Sequence, residues 1–222
     1  RLDRDEVAPL VVHRLNGPIV EEYKALDIPT VHVPEIGSYV PRPNRGGIIL
    51  AQKIPELSKL PRAARRIAEI FRNHGGNVIH LNYEGLFLLG HLLKRHTPAP
   101  QVVHVRASGL VDDMWARWIV RSLGRSASHA FFITDNEERW FRSVEKSQPL
   151  PGSVMYNIAR PTQIRQPFGD PPEAVFLGNL DPIKGVDRLL DVAGFLDTLG
   201  APPLKITVYG AARGKKGFSE HL

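Results

Sequence analysis

The chemistry of this 222-residue sequence is densest over residues 175–186, which read V-F-L-G-N-L-D-P-I-K-G-V. The order is an apolar segment, Gly178, a turn-rich stretch, and Lys184 just ahead of a second apolar periodicity. A glycine at a strand end allows close backbone approach to a ligand. A helix N-terminus directs N–H groups and a positive dipole end at anions. Lys184 at that point would add a charge suited to phosphate or diphosphate. Asp181-Pro182 and Lys184-Gly185 are also ordinary turn chemistry, so the segment alone leaves both readings open.

A second set of polar residues follows the other apolar segments. It comprises Arg14 to Gly17, Asn82-Tyr83-Glu84-Gly85, Arg106-Ala107-Ser108-Gly109, Thr134-Asp135, Asn157 and Gly210. The set is rich in Arg, Asn, Ser and Gly and poor in paired carboxylates. That suits an anionic, hydroxyl-rich ligand better than acid–base hydrolysis. Arg106 is the strongest anion binder of the set by type, although a strand-end Arg is as often simply solvated.

Other chemistries are disfavoured. The sequence has no cysteine, which excludes a disulfide scaffold, a Cys-ligated metal and thiol catalysis, and agrees with a reducing compartment. Its nine histidines lack H-x-x-x-H spacing, so no metal is expected. Neither G-x-x-x-x-G-K-[ST], G-x-G-x-x-G nor G-x-S-x-G occurs. His80, His104 and His129 lie in or beside apolar strands and are expected to be packed and hydrogen-bonded. Trp115, Trp118 and Trp140 fall on helices and are expected to be packing residues.

The elements that must position these residues alternate short apolar strands with amphipathic helices, the pattern of a parallel sheet. Strands are expected at residues 9–13, 30–33, 78–81, 102–105, 130–133, 154–156, 174–177 and 204–209. Residues 34–47 read as a long loop. A helix is expected over 55–72, where Leu57, Leu60, Ala64, Ile67 and Phe71 share one face. Others are expected at 18–26, 84–96, 111–123 (ended by Gly124), from a Thr134–Glu137 capping box to 146, and 186–199. Glu137 is read as a helix-dipole glutamate and Glu145 as a surface one. Residues 158–172 hold four prolines without periodicity and read as an interdomain linker. The division expected is therefore 1–157, a linker 158–172, and the start of a second α/β domain at 173–222.

Composition bounds the class. Hydrophobic residues make up 42% of the chain, enough for a real core and against a disordered tail. Lys and Arg number 29 against 23 Asp and Glu, a formal charge of +6. That charge, with the basic helix around residues 59–72, admits a binding module for an anionic membrane surface or nucleic acid. The cations are dispersed and no reader motif is present, which argues against nucleic acid.

At residues 175–186 the chain resembles the retaining glycosyltransferases of family 4, whose second domain opens with a strand, Gly-Arg-Leu, a turn, and Lys-Gly into a helix. The resemblance extends backward through V-I-H-L-N-Y (78–83), V-V-H-V-R-A-S-G (102–109), F-F-I-T-D-N-E-E-R (131–139) and V-M-Y-N-I-A-R-P (154–161). These segments follow the family's order and spacing over nearly the whole chain. The resemblance implies a GT-B-like fold: a parallel-sheet, Rossmann-like N-terminal, acceptor-side domain and the start of a second, donor-side one. It implies a hexosyltransferase-type enzyme that moves a sugar from a nucleotide-sugar to a glycan, lipid-linked or small-molecule acceptor with retention, without metal or further cofactor. Polysaccharide biosynthesis in the cytoplasm, with peripheral contact to the inner membrane face, is the implied setting.

By the same resemblance Lys184 would hold the donor diphosphate, with Gly178 beneath it and Asn157 near the donor side. Asn179 stands where the family has Arg. Arg106, Ser108, Asn82 and Tyr83 would bind acceptor or phosphate. The family's Gly-rich loop would precede Arg1 and its glutamate pair would follow Leu222. The stretch is therefore expected to lack its catalytic residues and to be inactive by itself. Glu137 and Glu145 share the pair's spacing but lie on a first-domain helix. A GT-B-fold sugar-nucleotide epimerase is the alternative within the same fold.

Overall fold

The structure is a computed structural model that describes residues 6–39, 46–106, 113–145, 149–158, 173–180, 184–200 and 205–210. The chain divides into two compact units, Arg1–Ile158 and Ala159–Leu222. Every strand pair in both is parallel, as strand–helix alternation requires.

The first unit runs β1 (Val11–His13), α1 (Pro18–Ala25), β2 (Thr30–His32), α2 (Gly46–Leu57), α3 (Leu60–Asn73) and β3 (Ile79–Leu81). A 3-10 turn (Glu84–Leu86), α4 (Phe87–Leu93), β4 (Gln101–Val105), α5 (Asp113–Ser126), β5 (His129–Phe132), α6 (Asp135–Val144) and β6 (Gly152–Val154) follow. β1 pairs with β2, and β3-β4-β5-β6 form a four-stranded sheet. One face of that sheet carries Leu81, Val103, Val105, Ala130 and Phe132, all at 3% exposure or less. Against it lie Ala63, Ala64 and Ile67 of α3, Phe87 and Leu93 of α4, Ile119 and Leu123 of α5, and Phe141 of α6. These helices also pack in sequence on one another, α3 on α4, α4 on α5 and α5 on α6.

Four of the differences from the sequence expectation have a clear physical cause. First, the long helix over 55–72 is two helices. Pro55 falls in the last turn of α2, and Pro61 sits in the first turn of α3. A proline tolerates a first turn but clashes inside a helix, so the chain restarts at Leu60. Residues 46 and 47, expected in a loop, begin α2. Second, Gly124 does not end α5, which continues to Ser126, whose Oγ donates to the Ser122 carbonyl at 2.9 Å. Burial of Leu123 and Ser126 outweighs the roughly 1 kcal/mol cost of a helical glycine. Third, α4 ends at Leu93 rather than 96, after its 3-10 start. Fourth, β6 lies two residues early. A Cβ on Gly152 would stand 2.6 Å from the Phe132 ring and 2.9 Å from the Ala130 carbonyl. Only glycine permits this strand to close on β5, so the strand is built around it.

Thr134 caps α6 by accepting from the Asn136 N–H, and its hydroxyl bonds Glu137. Glu145, expected at the surface, is instead a buried staple. Its side chain is 7% exposed, pairs with Arg142 at 2.8 Å and accepts the Leu150 N–H at 2.7 Å. Trp115 and Trp118 pack with Tyr39 and Phe87 in one aromatic cluster.

The second unit contains β7 (Glu173–Leu177), α7 (Val186–Thr198) and β8 (Lys205–Tyr209), with β7 and β8 paired. The C-terminal end of α7 passes into Gly200 at φ 62°, the left-handed residue that ends many helices. The proposed linker lies mostly at 159–172, outside the described residues. Phe132→Ala should destabilise the first unit by about 3–5 kcal/mol, read from urea denaturation.

Candidate functional site

The parallel strands of the first unit deliver their polar residues at the carboxyl ends, where open α/β sheets bind ligands. β3 ends into Asn82, Tyr83 and Glu84, and β4 ends into Arg106. The Arg106 Nη2 donates to Asn82 Oδ1 at 2.8 Å. Its backbone N–H donates to Glu84 Oε2 at 2.9 Å. Glu84 is only 3% exposed, so its carboxylate lies beneath the strand ends and fixes the β4 terminus. Among the described residues no carboxylate pairs with the Arg106 guanidinium. Tyr83, half-buried and extended, leads into the 3-10 turn. Ser108 lies outside the described residues.

Two further strand ends complete this edge. Thr134 and Asp135 follow β5, and Asn157 follows β6 in an exposed position. The Tyr156 hydroxyl donates to Asp135 Oδ2, and this bond to a carboxylate raises the phenol above its ordinary value. Arg14, after β1, is engaged by Glu56 of α2.

The strand histidines only partly meet expectation. The His129 ring hydrogen-bonds Ser153 Oγ at 3.1 Å. His80 retains an exposed edge. His104 is 6% exposed, and its Nε2 has no hydrogen-bond partner among the described residues. The two rings stand 5.8 Å apart. Desolvation, then the Arg106 charge, hold both imidazoles below the ordinary histidine value. Glu84 and these histidines were legible only as strand and turn residues. The signal that marks them is the two-residue spacing His80/Asn82 and His104/Arg106.

In the second unit Gly178 and Asn179 follow β7, and Lys184 precedes α7. Gly178 N–H donates to the Tyr209 carbonyl at 3.0 Å. A Cβ on Gly210 would fall 1.8 Å from the Gly178 carbonyl oxygen, so the ends of β7 and β8 close on a glycine that no other residue can replace. Gly185 is the N-cap of α7 at φ 73°, a conformation costly to any side chain. Among the described residues no side chain caps that terminus, and exposed Lys184 stands immediately before it. Residues 181–183 lie outside the described residues. The arrangement is competent to hold an anion through Lys184 and the helix dipole.

Groups of three or more metal-ligating side chains are absent among the described residues. No helix among them is long and apolar enough to cross a membrane.

No family model matches the sequence, and no curated protein matches it either. Among solved structures the chain is similar to Alr3699/HepE of Anabaena. The complex with UDP and glucose gives a TM-score of 0.62 at 18% identity, and that with UDP-glucose 0.63 at 17%. In both, 96% of this chain is covered and 56% of that one. This chain thus spans little more than half the length of these neighbours. The likeness is one of fold, and the fold is α/β, Rossmann-like and of GT-B type.

The histidine pair makes stability pH-dependent. Both imidazoles titrate near 6.5 when unfolded and lower when folded, so the unfolded chain binds more protons as pH falls through that value. The thermal midpoint of the first unit should therefore drop between about pH 7 and pH 5, and His80→Gln should flatten that slope.

Proposed function

We propose that the chain is part of a nucleotide-sugar-dependent glycosyltransferase. One observation carries this reading: a likeness that spans 96% of the chain to a protein solved with UDP and with UDP-glucose. The uncapped α7 terminus preceded by Lys184 supports it, because a diphosphate leaving group needs fixed positive charge.

In this reading the second unit is the donor side. Lys184 neutralises the diphosphate, the α7 dipole adds to it, and Gly178 and Asn179 form the floor and wall of that site. Asn179 offers hydrogen bonds where the resembled family has a cation, so Lys184 carries a larger share of the charge. Asn157 is assigned to donor binding in the same reading. The first unit is the acceptor side, with Arg106, Asn82, Tyr83 and Ser108 binding an anionic or hydroxyl-rich group. Transfer retains anomeric configuration and uses no metal. The protein contributes by positioning and by offsetting charge on the leaving group. A hexose donor, a polysaccharide-type acceptor and a cytoplasmic setting complete the proposal.

The first unit adds a surface to this reading. Arg62, Arg65 and Arg66 of α3 and Arg117, Arg121 and Arg125 of α5 are exposed on one helix layer. Glu35 answers only Arg62 and Arg66, each at 3.5 Å. Such a layer suits peripheral contact with anionic lipid, where each cation near the surface contributes about 1 kcal/mol.

Calorimetric titration with UDP tests the donor side. Lys184→Ala should weaken binding by roughly 10- to 100-fold, the scale of a charge-assisted hydrogen bond, whereas Lys184→Arg should largely keep it. Unchanged affinity in Lys184→Ala would remove the donor assignment. For the surface, co-sedimentation should require phosphatidylglycerol and fail with phosphatidylcholine alone, and salt should abolish it. Sedimentation indifferent to lipid charge would count against membrane contact.

A further inference from the structure

The register of β3 and β4 groups four side chains that the donor chemistry does not use. His80 stands opposite Val102 and Leu81 opposite Val103. Successive strand residues alternate faces. Leu81, Val103 and Val105 point to the core, so His80, Asn82, His104 and Arg106 share the other face at its carboxyl end. The contacts agree: the histidine rings are 5.8 Å apart, and Arg106 Nη2 bonds Asn82 Oδ1 at 2.8 Å. His104 Nε2 is buried and without a partner among the described residues.

We infer that His80, Asn82, His104 and Arg106 form a proton-linked site for a tetrahedral oxyanion, a phosphate or sulfate group borne by the acceptor. The inference rests on the acceptor-side reading of this unit and extends it to a ligand class. Arg106 supplies a permanent charge that no carboxylate among the described residues pairs with. Asn82 supplies an amide that anchors the guanidinium through its oxygen and leaves its N–H groups to donate. Each imidazole takes up a proton when an anion arrives and then donates to it.

The charged group beside the pair that weighs against an anion is the buried Glu84 carboxylate, which the Arg106 guanidinium must offset. Glu84, in the turn after β3, receives the Arg106 backbone N–H. On β5, Phe131 lies 6.3 Å from His104 and separates it from His129. Without an anion, desolvation and the Arg106 charge keep both histidines neutral near pH 7. An anion reverses the second effect, so by linkage its affinity rises as protons become available.

Sulfate is the probe, because it does not itself titrate over the range used. Its affinity for the full chain, measured by calorimetry, should rise on the order of tenfold from pH 7.5 to pH 5.5. In histidine NMR, saturating sulfate should raise the titration midpoints of His80 and His104 and leave the signals of His74, the C-cap of α3, unshifted at a given pH. Arg106→Ala should abolish binding. His80→Gln should reduce the pH dependence, and it tests the idea even if His104→Gln fails to fold. Affinity that is flat with pH, or unmoved midpoints, would overturn proton linkage and leave the acceptor-side reading standing. Sulfate displaced by UDP would show that the group belongs to the donor and overturn the acceptor assignment. Loss of UDP binding alone would remove the glycosyltransferase reading, and the sulfate titration would still judge this site.

Discussion

The first unit depends on a single packing constraint, the burial of one face of the central strands of its four-stranded sheet. Val103, Val105, Ala130 and Phe132 are wholly inaccessible, and helices α3 to α6 converge on them. A strand cannot turn one side chain inward without turning its neighbours outward. The same burial that holds β4 in place therefore sends His104 and Arg106 to the opposite face together. A one-residue slip would turn the imidazole and the guanidinium into the core.

That constraint also explains how little is left to chance at the strand ends. Burial stops at Val105, and the next residue must be anchored by something other than packing. Glu84 does this with one buried carboxylate on one backbone N–H, a charge-assisted bond stronger than a neutral one. The second unit solves the same problem without charge. There, among the described residues, the ends of β7 and β8 are held by backbone, with Gly178 bonded to Tyr209 and Gly210 against the Gly178 carbonyl.

Strand and helix alternation was legible because hydrophobic periodicity is a local property. Each expected strand was found within two residues, and Thr134 opened α6 as its capping chemistry requires. What was not legible depended on partners distant in sequence. Pro61 is the exception, a local start signal that lies within the apolar face running through it. Gly124 stays helical because Leu123 and Ser126 are buried by other elements. Gly152 moves a strand because Phe132 needs the space. Glu145 is buried because Leu150 N–H and Arg142 claim its two oxygens, and no helical pattern reveals that. At the candidate site, Asn82 and Arg106 were singled out separately from strand position. Their hydrogen bond, and the two histidines beside them, emerge only from the register of β3 with β4.

The aromatic cluster under α5 has a use of another kind. All three tryptophans of the chain, Trp115, Trp118 and Trp140, lie in the first unit. Trp115 and Trp118, 5.6 Å apart and held against Tyr39 and Phe87, give that unit a rigid chromophore pair. The second unit has no indole at all. Indole emission from this protein is thus a spectroscopic label for the larger unit, and the smaller one can melt or bind without an indole of its own to report it.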